Sequence, residues 1–356
     1  MPKAARLRRF VTRRRQKANQ STTSKTILAL TVFLLYNLVY GFRSSRQVKT
    51  AEVRARQLKI KMQPNSHGHE CLADTTIVTA YYKLGELSKY SDRVYRRWNR
   101  NFFKLKDAMV IFTNLQTLPA LKSLRRSTAS CTLFVVQDLA NTYTASLASW
   151  YKQHNLDPEK RIHSAELYII WNEKSEWLGM VAEKNPFNST HFFWADAGQF
   201  RSEVSMRSCV HSGVWIRHTS FIPPKKVLLL SIQSFKPHEL FLDDSGKSLL
   251  FDSRIIRLGG GNFGGDRESI LLWRTRFYKK LQEYLAAGVF AGKDQPIMAS
   301  VCVEFPSQCY MVEGKKVVET DDVWFALQPI LSGATRHIPT YIPQSLTSFT
   351  RPRSKW

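Results

Sequence analysis

The chain has 356 residues, 43% of them hydrophobic and 12% aromatic, with a formal net charge of +25. That apolar content supports a packed core and excludes a wholly disordered chain. The charge invites a nucleic-acid role, since Lys and Arg neutralise phosphates without reading sequence. Its distribution argues otherwise: residues 1–61 carry 16 Lys/Arg against the single acid Glu52, and the remainder carries 37 against 27 with no dense basic stripe.

Five cysteines (Cys71, Cys131, Cys209, Cys302 and Cys309) are too few and too irregular for a disulfide scaffold, and none shows paired zinc spacing. One or two bridges suit an oxidising compartment, with the pairing open and at least one thiol left over.

In chain order, residues 1–26 form a basic tail without an acid, and residues 27–42 (ILALTVFLLYNLVYGF) are free of charge. That run would be about 24 Å long as a helix, short for a plasma membrane and workable in thinner early-secretory ones. A poor cleavage site after it disfavours a signal peptide, and the lack of a polar face disfavours a transit peptide. The expectation is a type II signal anchor with the basic tail cytoplasmic and the rest in the Golgi or ER lumen. Residues 43–73 read as a polar, basic stem.

From there to residue 338, apolar runs alternate with segments of helical period. Expected strands are 76–80, 109–113, 132–136, 192–195, 227–232 and 255–258, and expected helices include 88–103, 144–155, 164–183 and 266–287. This predicts an α/β domain with a mainly parallel sheet flanked by helices. Ligands then belong beyond the carboxyl ends of the strands, near Tyr81, Asn114, Asp138, Asp196 and Gly259. Residues 339–356, rich in Pro, Ser and Thr, read as a loosely packed tail.

Three segments could carry chemistry. In His191–Arg201 (HFFWADAGQFR) a strand delivers Asp196 at its end and Arg201 follows five residues on. One carboxylate can hold Mg²⁺ or Mn²⁺ when a substrate diphosphate supplies further oxygens, and Arg201 could pair with a phosphate. The same acid could equally cap the turn. Gly259–Asp266 (GGGNFGGD) contains G-x-G-x-x-G, but it lies late in the chain and no strand ending in an acid follows. It reads as a loop where backbone approaches a ligand, or as a structural turn. Asp294 in Gly292–Met298 (GKDQPIM) reads as the start of a helix.

Together these stretches, with TIVTAYYKL, SKYSDRVYRRWNRNFF and SAELYIIWNEK, resemble the HtrL/YibB-like family of glycosyltransferase-like proteins over about residues 74–315. The resemblance implies a GT-A-like, Rossmann-like fold that binds a nucleotide-sugar. Such folds often place Asp-x-Asp where Trp194-Ala195-Asp196 stands; here there is one carboxylate. The glycine-rich and Asp-Gln segments are similar to acceptor-side and sugar-binding elements of some retaining GT-A enzymes. The implied roles are catalytic for Asp196 and Asp294, with Asp196 holding Mn²⁺ or Mg²⁺. Tyr81, Lys174, Arg201, Gly260, Gly261, Asn262, Gly264 and Gln295 would bind substrate. Asn188-Ser189-Thr190 is a glycosylation acceptor usable only in the lumen. The expected activity is sugar transfer to a glycan, protein or lipid, with no nucleic-acid partner; the alternative is an inactive sugar- or nucleotide-binding relative.

Overall fold

The computed structural model describes residues 71–343 apart from 72, 85–89, 319–320 and 336. The expected tail 1–26, the anchor 27–42, nearly all of the stem and residues 344–356 lie outside the described residues. Among the described residues no helix is long and apolar enough to cross a membrane.

Eight strands form one sheet: β1 Thr75–Ala80, β2 Ala108–Thr113, β3 Thr132–Val136, β4 His191–Ala195, β5 Val227–Ser231, β6 Leu258–Asp266, β7 Cys309–Glu313 and β8 Thr340–Tyr341. Their order is β3-β2-β1-β4-β6-β5-β7-β8. The first four are mutually parallel. β6 runs antiparallel to both β4 and β5, β7 is parallel to β5, and β8 is antiparallel to β7. The sheet is therefore mainly parallel, as expected, but mixed: β6 and β8 run against the other six strands.

That strand also corrects the reading of the glycine run. LGGGNFGGD is not a loop but a nine-residue strand lodged between β4 and β5. Glycine is depleted in strands, so the pattern reads as a turn. Here close packing overrides propensity: a Cβ on Gly264 would lie 2.3 Å from the Phe192 carbonyl oxygen. The expected strand at 255–258 is only the approach to β6. The expected helix 144–155 is two short ones, Tyr143–Leu147 and Trp150–His154, broken where Ala148 and Ser149 turn extended.

Helices cover both faces. β2 is buried along its whole length, as a strand covered on both sides must be. Ile77, Ile111 and Phe193 face one core shared with Phe102, Phe103, Trp215 and Ile330. One residue along each strand, the opposite face meets the helix Ala165–Lys184, where Trp177 stacks on Phe112, Tyr82 and Trp194 at 5.1, 5.9 and 5.9 Å. A second long helix, Arg267–Ala286, packs on the first. Ala165–Lys184 is thus enclosed on several sides, which is why it buries Asn172, Glu173, Lys174 and Glu176 along with its apolar residues. Two disulfides, Cys71–Cys131 and Cys302–Cys309, take four of the five cysteines, and Cys209 is a buried free thiol.

Candidate active site

β4 ends at Ala195, and Asp196 emerges at the carboxyl edge of the parallel strands. Because β6 is antiparallel, its beginning lies at that same edge, and Asp196 N donates to the Gly261 carbonyl at 2.9 Å. The helix Asp294–Glu304 starts beside them with Asp294 as its first residue, 5% exposed. Asp294 comes close because Gly260 has no side chain: a Cβ there would lie 2.4 Å from Asp294 Oδ2.

Lys174 ties these pieces together from the enclosed helix. Its Nζ donates to the Gly260 carbonyl at 2.9 Å and lies 3.2 Å from both Asp196 Oδ1 and Asp294 Oδ2. The contact with Asp294 Oδ2 has ion-pair distance without hydrogen-bond alignment. Burial opposes the charge on Lys174, but the two carboxylates outweigh it and its pKa is raised. Burial raises that of Asp294, Lys174 pulls it back, Asp196 pushes it up again, and the net is upward. Two acids against one cation leave the centre with an excess negative charge when all are ionised. Trp194 Nε1 donates to Asp196 Oδ1 at 2.7 Å, so that oxygen is committed.

This centre lies in a cavity of about 510 Å³. Tyr81, Tyr95, Trp98, Trp171, Trp324 and Phe325 make much of its wall, and Gln295, Gly260 and Gly261 reach it as well. Arg201 lines it too, exposed, with its guanidinium 4.7 Å from the Trp98 ring centre and 4.9 Å from that of Phe325. Cation–π stacking of this kind orders the side chain while leaving its hydrogen-bond donors for a ligand.

Asn262 and Gly264 stand apart from this group. Neither lines the cavity: Asn262 is 2% exposed with its amide unpartnered among the described residues, and Gly264 sits opposite Phe193 within the sheet. Reading the run as a loop placed them at a ligand; as a strand it leads them away from the edge. Asn188 is exposed at φ 53°, in the turn between Ala165–Lys184 and β4.

The residues missed in the sequence are on the loop before Ala165–Lys184. Glu159 and His163 line the cavity, Glu159 pairs with Lys293, and His163 pairs with Asp157. Their spacing matches no motif, and only the fold brings the loop beside residues 293–295. Asp157, Glu159 and His163 present ligand atoms within 4.8 Å of one another, the one such metal-sized group among the described residues.

A divalent ion at Asp196 would have one protein oxygen, Oδ2, on a side chain 45% exposed. That fits Mg²⁺ or Mn²⁺ held chiefly by substrate phosphates and water, the usual habit of Mg²⁺, and does not fit an all-protein cage.

The family described as "Bacterial protein of unknown function (HtrL_YibB)" matches residues 73–321. No curated protein matches the sequence. Among solved structures, mouse xyloside xylosyltransferase 1 in its apo form is similar at 11% identity, covering 76% of this chain and 97% of its own, with a TM-score of 0.37.

Proposed function

The chain belongs to the HtrL_YibB family, and from that premise and the site geometry we propose that it transfers a sugar from a nucleotide-sugar donor to a glycan, protein or lipid acceptor. One observation carries the reading: a strand-end acid, a second acid and a lysine converge within 3.2 Å at the edge of an aromatic-lined cavity. Aromatic walls suit a base and a sugar, and polar groups at one point suit a diphosphate.

In this reading Asp196 would hold Mg²⁺ or Mn²⁺ together with the donor's diphosphate, and the ion would supply charge neutralisation on the leaving group. Lys174 Nζ is buried, hydrogen-bonded to the Gly260 carbonyl and at ion-pair distance from Asp196 and Asp294, so it organises the acids. Arg201, exposed and stacked, takes the phosphate role instead. Its donors stabilise charge as the sugar–oxygen bond to the diphosphate breaks. Asp294, fixed against Gly260, orients a substrate hydroxyl, and Tyr81 and Gln295 shape the walls. The single carboxylate also supports a second reading, an inactive sugar- or nucleotide-binding relative; donor hydrolysis with added Mn²⁺ separates the two.

The proposal extends to location: a Golgi or ER membrane, residues 27–42 as anchor and the domain in the lumen. The two disulfides and the exposed Asn188 support an oxidising, glycosylating compartment. Asp196→Asn should abolish transfer from a panel of nucleotide-sugars while urea midpoints stay unchanged. Undiminished turnover would refute the role of Asp196.

A further inference from the structure

His163 is an oriented imidazole with one nitrogen unspent. Its Nδ1 lies 2.8 Å from Asp157 Oδ2. Asp157 is 3% exposed and also accepts from the Tyr168 hydroxyl at 2.6 Å and from Glu159 N at 2.8 Å. Burial opposes its charge, but these donors outweigh burial and hold its carboxyl below the ordinary range. An ionised carboxylate only accepts, so Nδ1 carries a hydrogen, and in the neutral imidazole the lone pair is then on Nε2. Trp171 meets the ring edge-on at 4.9 Å, which fixes its plane.

Nε2 bonds to no described residue, and the side chain, 4% exposed, lines the same cavity as Asp196 and Asp294. The sugar-transfer chemistry above leaves it unused. Glu159 lines the cavity beside it, its carboxylate 45% exposed and paired with Lys293, the residue before Asp294. A metal ion accounts poorly for the cluster. Both Asp157 oxygens are occupied, and the Lys293 ammonium already sits on Glu159.

Glu159 and His163 line the same cavity with ligand atoms within 4.8 Å of one another, and two hydrogen-bond acceptors so placed select a ligand with neighbouring donors. A phosphate or carboxylate offers only acceptors and is repelled by both, and a cationic ligand is disfavoured by Lys293. Adjacent hydroxyls on a neutral ring satisfy the pair, and the ring's C–H face suits the indole of Trp171. We propose that His163 Nε2 and the Glu159 carboxylate form a saccharide subsite on the wall next to residues 293–295, accepting hydrogen bonds from a vicinal diol. The inference rests on the sugar-transfer reading. The sugar belongs to the donor or to the acceptor, and the two are separable.

Saturation-transfer NMR on the full chain in detergent tests it, using the methyl glycosides of glucose, galactose, xylose and N-acetylglucosamine, with UDP and the matching UDP-sugars. His163→Ala should weaken glycoside or UDP-sugar binding roughly tenfold, the worth of a net hydrogen bond, and leave UDP binding unchanged. His163→Gln, whose amide oxygen replaces the lone pair, should recover most of the loss. Loss with UDP-sugars but not UDP assigns the donor's sugar; loss with glycosides alone assigns the acceptor's. Wild-type binding of none of these sugars, or equal binding by His163→Ala, overturns the subsite even if transfer is found. Glycoside binding through His163 without any transfer leaves the subsite standing and removes the transferase reading.

Discussion

Replacing Lys174 with methionine isolates what the buried cation does. The substitution keeps an unbranched apolar stem in a helix that is closed over by its neighbours and removes only the ammonium. Lys174 is 4% exposed, and Asp294, 5% exposed, would be left as a buried acid without its cation. The Gly260 carbonyl would lose its donor as well. Breaking a buried pair from one side costs about 3–5 kcal/mol, and because the two losses share one group they do not add. A domain with about 5–15 kcal/mol of stability stays folded after such a loss. The sign of the pH dependence follows from Asp294. Its folded pKa is already above its ordinary value, and losing Lys174 raises it further. An acid with a raised folded pKa binds more protons folded than unfolded, so stability falls as pH rises through that window. Urea unfolding followed by tryptophan fluorescence should therefore show the variant recovering stability, relative to wild type, as pH is lowered toward the ordinary carboxylate range. Adding Asp294→Asn to Lys174→Met should return much of the loss. A cost below about 1 kcal/mol, an ordinary exposed-pair value, with no pH dependence would refute the buried-centre account.

Gly260→Ala should cost about 1–3 kcal/mol from overpacking and displace Asp294, so activity should fall well beyond what stability explains; unchanged kcat would contradict the close approach. Expressed in a secretory compartment, the protein should carry an endoglycosidase-sensitive mass shift that Asn188→Gln removes; its absence would count against a lumenal domain. Breaking Cys71–Cys131, which joins residues 60 apart in sequence, should lower stability by about 4 kcal/mol on the loop-entropy model. An unchanged melting temperature in Cys71→Ser/Cys131→Ser would exclude that bridge as a stabiliser.

The strands TTIVTA, AMVIFT, TLFVV and HFFWA were legible from the chain alone because each is a short apolar run that a sheet covered on both sides requires. So was the delivery of Asp196 at a strand end, which needs only the strand's length, and the start of a helix at Asp294. The reversal of β6 was not legible. Whether β6 runs with or against β4 depends on neighbours distant in sequence, and nine residues with five glycines carry no period to betray a strand. The burial of Lys174 was not legible for a related reason: a helix roofed by a second helix loses the polar face that would mark its surface. Only packing decided that this lysine is buried, that Gly260 makes room for Asp294, and that a loop with no motif brings His163 to the same cavity. Local pattern reports what a residue prefers, whereas tertiary contact reports what surrounds it, and an active site is made of surroundings.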